Sequence, residues 1–421
     1  MRARYDHRPF ADRSALVALL RLAFRNTLRQ RARSAIAIAA IAIGVAAIIV
    51  AGGFIHDVYI QFAESIIHSH YGHLQVYRKG YSLYGTQHPN EYLIDKPATV
   101  VEQIQKLPQV DLVLSRLRFT GLANAGGGDW AILGEGIEPS LENRLGTYVQ
   151  LVDGRLLRDD DRDSIIIGDG VAKALHVKPG QQLSLNIVTR DGALNSLEFD
   201  VVGVFRSYSK EFDQRAIRLP LKEAQDLLAT RGVNEIVVAL VDTATTDAVA
   251  AKVGSMLASA GYEVKTWRDL ADFYDKTVRL FDQEFGFLQI VLLLMIVLSV
   301  ASTITTTTFE RLPEFGTMLA LGDRRRDVFR LIILECVILG AFGSVIGLVA
   351  GVVLALAISA IGIPMPPPPN TDMGYTALIR IVPSVLLGAC AVGSVSAALA
   401  GLFPSMRIAR IAPVDALRRA L

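Results

Sequence analysis

Hydrophobic and polar positions alternate along this chain on two length scales. On the longer one, four apolar runs stand out, at residues 34–55, 285–307, 328–361 and 381–403. Each reaches the roughly 20 residues a helix needs to cross a hydrocarbon core about 30 Å thick. On the shorter scale the stretch 309–326, FERLPEFGTMLALGDRRR, interrupts the second and third runs. Phe315, Met318, Leu319 and Gly322 recur there at three-to-four-residue spacing while Glu310, Arg311 and Glu314 fall on another face, the pattern of an amphipathic helix. Carboxylates in its first turn suit the helix dipole, and a glycine followed by arginines supplies a stop. The segment 308–327 is therefore expected to hold a short helix and loop at a membrane face.

The same periodicity extends beyond the apolar runs. Residues 1–33 read as a basic amphipathic helix, with Leu16, Leu19, Leu20, Ala23, Phe24 and Leu28 on one side and arginines on the other, lying along a membrane surface. Past Gly52 and Gly53 the first run continues as a helix through Phe54, Val58, Phe62, Ile66 and Ile67; Tyr274, Val278 and Phe281 lead into the second run in the same way. Two such stalks are expected to bury their stripes against each other. Between them, within residues 56–284, periodicity shortens. Strands and helices alternate over about 72–124 and 205–270, while about 129–204 is a succession of short strands, including a hairpin with Asp191 and Gly192 at its tip. GEGIEP, residues 134–139, reads as a turn. The pattern predicts a split α/β domain with an inserted β-rich subdomain.

Charge fixes an orientation. Arginines crowd residues 1–33, the segment 308–327 and the tail 404–421, whereas every lysine falls between Lys79 and Lys276, and IGIPMPPPPNTDMGYTAL, residues 361–378 and most of the outer loop 362–380, has no Lys or Arg. By the positive-inside rule both termini are cytoplasmic and the large segment is outside. A signal peptide is a poor account of the first run, which is longer than an h-region and lacks a small-residue cleavage site. The formal net charge of +2 conceals this asymmetry, which anionic lipid and topology explain better than nucleic acid does, so no nucleic-acid partner is expected. The two cysteines, Cys336 and Cys390, lie in predicted spans, so no disulfide framework is available outside. His68, His70 and His73 lack a fourth ligand and share no helix face, and read as ordinary polar residues at a stalk end rather than a zinc site.

Gly343, Gly347 and Gly351, four apart, make one helix face that another helix can approach closely, within the chain or between chains. Glu335, a carboxylate early in the third run, is expected to snorkel or to pair with the Arg324–Arg326 cluster. The prolines from Pro364 to Pro369 form a stiff outer loop. No Gly-Lys pair occurs, hence no phosphate-cradling G-x-x-x-x-G-K-[ST] loop; the nucleophile elbow, H-E-x-x-H and the dinucleotide fingerprint are also missing, and the spans hold almost no charge for an ion-coupled carrier. The chain is expected not to be an enzyme. For 309–326 two readings stay open: a handle for a separate ATPase, or an interfacial turn.

Several segments together resemble the permease subunits of the MacB, LolC/LolE and FtsX group of ABC transporters. LAFRNTLRQRARSAIAIAAIAIGVAAII, with Arg25 and Asn26, is similar to the group's entry into the first span. FERLPEFGTMLALG is similar to its coupling-helix motif at Glu310, Arg311, Glu314, Gly316, Ala320, Leu321 and Gly322, and PSMRIARIAPVDALR, with Pro404, Arg407, Pro413 and Leu417, to its usual ending. GHLQVYRKGY, GDGVAKALHVKPGQQLSL and VVGVFRSYSKEFDQRAI are similar to the outer domain of the lipoprotein-release branch. The departures are Pro313 and Leu319, where the group often has basic residues, and a longer Pro-rich loop. The resemblance implies a membrane α-helical fold of four transmembrane helices with a large extracytoplasmic α+β domain, a split porter-like part around the inserted β subdomain. It also implies a bacterial inner-membrane permease that works by mechanotransmission for lipoprotein release or export of lipid or amphipathic cargo. The expected partners are a cytoplasmic ABC ATPase subunit that binds ATP and Mg, a second permease chain, identical or paralogous, a periplasmic carrier or adaptor, and membrane lipid. No cofactor is expected in this chain. Glu310, Arg311, Glu314, Phe315, Met318 and Leu321 are the residues expected to dock the ATPase. A rival reading is an FtsX-like scaffold that activates a cell-wall hydrolase without transport; a third is a stand-alone membrane receptor.

Overall fold

The computed structural model describes residues 10–29, 31–85, 89–366 and 374–409; the prolines from 367 onward and the tail 410–421 lie outside the described residues. The chain divides into a helical unit, Met1–Tyr59, Arg279–Ile363 and Thr376–Leu421, and a mixed α/β unit, Ile60–Val278 and Pro364–Tyr375.

The helical unit is built from α1 (Phe10–Arg29), α2 (Arg31–Ile66), α3 (Asp272–Glu310), α4 (Leu312–Ala320), α5 (Arg325–Ile361) and α6 (Pro383–Ala409). Four of them, α2, α3, α5 and α6, are long and apolar enough to cross a membrane. Their core joins Ile41, Val45 and Ile49 of α2 to Val300 and Ile304 of α3, Leu331, Ile332 and Leu339 of α5 and Ala397 of α6. The glycine stripe of α5 faces α2 of the same chain. A Cβ at Gly343 would stand 2.7 Å from that of Ile41, one at Gly347 2.7 Å from the Ala42 carbonyl oxygen, and one at Gly351 3.1 Å from the Ala46 Cα. Only residues without a side chain permit this approach. Toward the other end of α2, the fully buried Asp57 accepts from the Leu378 N–H at 2.9 Å and from Arg380 Nε at 2.7 Å. Arg380, which follows the loop otherwise free of basic residues, thus has a buried counter-ion.

In the mixed unit, ten strands form one sheet: β1 (Leu74–Arg78), β2 (Val110–Asn124), β3 (Asp129–Ile137), β4 (Gln150–Gly154), β5 (Ser164–Gly168), β6 (Gln182–Val188), β7 (Leu194–Arg206), β8 (Ala216–Pro220), β9 (Glu235–Leu240) and β10 (Tyr262–Thr266). Their order is β10-β1-β9-β2-β3-β8-β5-β7-β4, with β6 paired to β2 and β7. Only the pairs β3–β8 and β5–β7 are parallel among those described. Two cores flank the sheet. One packs Leu74, Val76, Val113, Ile236 and Val238 under the helices Pro97–Gln105 and Thr246–Leu257, and the other gathers Phe119, Ile165, Ile167, Leu185, Phe199 and Leu219. The hairpin forms with Gly192 at φ +82°, the left-handed value a tight turn requires. The stalk ends of α2 and α3 meet, with the Phe62 ring 5.7 Å from Phe273 and 5.3 Å from Tyr274.

Three expectations change. The strand that ends at residue 124 serves both parts: β2 pairs β9 over residues 110–116 and β3 over 117–124, so the β-rich part begins within β2 and not after it. β8, assigned from the sequence to the second α/β half, lies between β3 and β5 within the β-rich part. GEGIEP is no turn: residues 134–137 complete β3, where Gly134 leaves room for the Phe119 ring and Gly136 for Ala224.

Candidate functional site

The segment between α3 and α5 is shorter as a helix than the apolar spacing predicts. Phe309 and Glu310 end α3, Arg311 is the junction, and α4 starts at Leu312 with Pro313 in its first turn. Proline there costs nothing, because the first N–H groups of a helix lack partners in any case. α4 ends at Leu321 and Gly322, whose φ of +108° turns the chain away.

Its amphipathic face packs inward. Phe315 is 1% exposed and Leu312 is equally enclosed; Met318 and Leu319 pack against the bundle core. Leu321, at 83% exposure, and Thr317 face outward. Of the six residues expected to dock a partner, Phe315 and Met318 are therefore part of the core, as the burial of an apolar stripe dictates. Arg311 is also withdrawn. Its guanidinium donates to both oxygens of Glu335 at 3.0 Å and to Glu314 Oε2 at 3.0 Å, and lies 5.1 Å over the Phe315 ring. Burial opposes its charge, but Glu335 and Glu314 more than compensate and hold its pKa above the usual value. Glu335 thus pairs with Arg311 of the α3–α4 junction, and not with the Arg324–Arg326 cluster.

The two remaining carboxylates are also engaged. Glu314 accepts from Arg29 at 2.5 Å; burial raises its carboxyl, and Arg311 with Arg29 brings it below the usual range. Glu310 is paired with Arg33. Asn26 Nδ2 donates to Glu335 Oε1 at 2.8 Å. Arg29 and Arg33 stand in the sequence as members of a basic helix, and Asn26 as part of the entry to the first span; their partners are 277 to 309 residues away, which no spacing reveals. Exposed around α4 there remain Glu314, Thr317, Leu321, Asp323 and the arginines 324–326, a surface that combines one large apolar side chain with a basic rim.

The mixed unit holds a second polar constellation that sequence reasoning missed. Arg116 and Glu235, neighbours across β2–β9, Glu142 of the helix Pro139–Leu145, Glu135 of β3 and Arg218 of β8 are all buried, and Arg118 joins them. Arg116 contacts Glu142 at 2.6 Å and Glu235 at 3.4 Å; Arg118 contacts Glu235 at 2.8 Å and Glu135 at 3.3 Å; Arg218 contacts Glu135 at 3.0 Å. Burial alone would raise Glu135, yet His70 and the three arginines hold it well below the carboxylate range. Burial pushes His70 well below its ordinary value, with Glu135 opposing the shift and those arginines reinforcing it. Arg116 also donates to the His70 carbonyl, tying the one-turn helix Ile67–Tyr71 to the sheet. The other two histidines have structural partners: His68 lies 3.2 Å from Glu64, and His73 accepts from the Leu240 N–H at 3.1 Å while its Nε2 lies 3.0 Å from the Thr243 hydroxyl. Among the described residues no group of three or more His, Cys, Asp or Glu is arranged to hold a metal ion.

Comparison with known proteins gives two matching family models: a MacB-like periplasmic core domain over residues 34–256 and an FtsX-like permease C-terminal domain over residues 286–413. An ABC transporter permease of Methanocaldococcus jannaschii is 24% identical over 279 residues, spanning 63% of this chain and 65% of that one. The macrolide export ATP-binding/permease protein MacB of Nitrobacter winogradskyi is 26% identical over 54% of this chain and 34% of its own length. The pyoverdine export ATP-binding/permease protein of Pseudomonas aeruginosa is 25% identical over 97% of this chain and 59% of its own. The chain thus spans less than two thirds of the length of each of these relatives. Among solved structures, the periplasmic region of MacB from Actinobacillus actinomycetemcomitans aligns with 49% of this chain and 92% of that one, at 15% identity and a TM-score of 0.36.

Proposed function

Since the chain belongs to the family defined by a MacB-like periplasmic core domain, here followed by an FtsX-like permease domain, and is an ABC transporter permease of that type, we propose that it transmits force rather than forming a passage. In this reading an ATP-hydrolysing partner binds ATP and Mg and pushes on α4 at the cytoplasmic face of a bacterial inner membrane. The push passes along the helices that leave the bundle, and the extracytoplasmic unit moves to release a lipoprotein or to export a lipid or amphipathic cargo. A second permease chain and a periplasmic carrier or adaptor complete the assembly. The division into an inner basic helix, four spans, a stalked outer domain and a coupling segment belongs to the same proposal.

The observation that carries it is that two of the four places where the chain passes between the helical and the mixed unit, residues 59/60 and 278/279, lie inside uninterrupted helices, α2 and α3. A helix resists compression in a way a loop does not, because each turn is held by backbone hydrogen bonds. The absence of charged residues from most of each span supports it further, since a solute pathway through the bundle needs polar groups along its length.

The docking surface in this proposal is Glu314, Thr317 and Leu321 with the following arginines. Glu310, Arg311, Phe315 and Met318 support it from behind. Leu321→Asp in the full-length protein is expected to abolish co-purification of a nucleotide-binding protein, identified by mass spectrometry, while membrane insertion is unchanged. An intact complex would refute the surface. Recovery of a cell-wall hydrolase in place of a carrier would favour the scaffold reading of the same machinery.

A further inference from the structure

One carboxylate joins three segments that are far apart in the chain. Glu335 lies in α5, 13% exposed in its side chain, in an otherwise apolar stretch. Arg311, at the α3–α4 junction, donates to both of its oxygens, and Asn26 of α1 donates to one of them at 2.8 Å. Beyond Arg311 the chain of contacts continues to Phe315, whose ring lies under the guanidinium and whose side chain is sealed in the bundle core. The same α1–α2 region reaches α4 a second time through Arg29 and Glu314, and the last residue of α3 through Arg33 and Glu310.

An ion pair this withdrawn from solvent is a poor choice where stability alone is needed. Apolar residues of similar volume do as well or better there, whereas a pair with fixed donors specifies geometry and can be released. We infer that Glu335 and Asn26 are positioning residues for α4. Through Arg311 they keep Phe315 and Leu312 in the bundle and Leu321 outward, and loss of this single carboxylate releases the helix. The N-terminal helix is thereby part of the coupling element and not only a membrane anchor. The inference rests on the proposed reading of α4 as the partner's handle, but its test needs no partner.

The full-length protein with Cys336 and Cys390 replaced by alanine carries one reporter, either L312C, in the bundle, or L321C, on the surface. A membrane-impermeant maleimide is added to inside-out vesicles. L321C should react at once in every background. L312C should be protected in the parent, react about tenfold faster with Glu335→Gln or Glu335→Leu, and about threefold faster with Asn26→Ala, which leaves the Arg311 pair in place, as local opening equilibria shift. Glu335→Leu separates the two roles, because a side chain that only filled space would leave L312C protected in that variant. Equal L312C rates in the parent, Glu335→Gln and Asn26→Ala would overturn the inference. An unreactive L321C would instead overturn the orientation on which the functional proposal stands, with the L312C comparison, repeated from the opposite face, still deciding the lock.

Discussion

In the mixed unit three arginines and three glutamates are enclosed between strands, whereas around α4 in the helical unit the arginines and glutamates are mostly within reach of solvent. The first set is balanced in sign, and its members other than Glu142, which a helix supplies, sit at strand positions where a one-residue slip would point them to the other face. It therefore specifies which strands pair and in what register. In the second set, Arg29 and Glu314 retain 67% and 45% of their side-chain exposure, and only the Arg311–Glu335 contact is withdrawn. Contacts of this kind stabilise little and exchange easily. Rigidity is thus invested in the mixed unit and adjustability around α4, as the proposed transmission of force requires.

The comparison breaks most severely at Arg116. Arg116→Met leaves Glu142 and Glu235 short of their buried counter-ion, and the mixed unit should lose about 3–5 kcal/mol. Both tryptophans, Trp130 and Trp267, lie in that unit, so fluorescence-monitored unfolding reads it directly. The next effect is pH-dependent. Burial, with His68 adding to it, lowers His73 from 6.5 to about 4. The folded state therefore takes up a proton later than the unfolded chain. The stability this neutral imidazole contributes is complete above pH 6.5 and is lost as pH falls toward 4, about 3 kcal/mol in all. His73→Gln should remove that share of the acid slope. Asp213, raised to about 6 by burial, works in the opposite sense, its penalty relieved as pH falls through 6, and cancels when the variant is compared with the parent.

Packing in the helical unit can be separated from charge there. Gly347→Ala places a Cβ against the backbone of Ala42 and the side chain of Val45 and should cost about 1–3 kcal/mol in resistance to unfolding by detergent. Gly388→Ala, where no atom lies within 4 Å, should gain about 0.5–1 kcal/mol from helix propensity in the same assay. The smallest effect belongs to Arg29→Ala. It removes an exposed pair, and a thermal melt should move by less than about 1 kcal/mol.

The spans, stalks and short strands were legible because each is a local periodicity. Phe62 and Tyr274, for example, stand on stripes that continue past the apolar runs, and the rings do meet. Other features were not, because their cause lies in distant partners. Glu335 was recognisable as an expensive residue, but the sequence offered the nearby arginines 324–326 as partners, and only the fold brings Arg311 and Asn26 to it. Phe315 was chosen for docking because it marks the amphipathic face, and that face is the one the bundle covers. Arg116, Arg118 and Glu135 alternate with apolar residues along their strands, and burial of charge on charge leaves no periodic trace. The glycines of GEGIEP imitated a turn, although they are small to admit Phe119 and Ala224.

The central claim is that nucleotide hydrolysis by the partner, acting on α4, is felt in the stalks. Hydrogen exchange over residues 56–71 and 267–284, measured on the permease in lipid nanodiscs with its ATP-hydrolysing partner, tests it most directly. The expected result is a change in exchange in both segments when ATP is added, absent in Leu321→Asp. Identical exchange with and without ATP in the intact assembly would contradict the account.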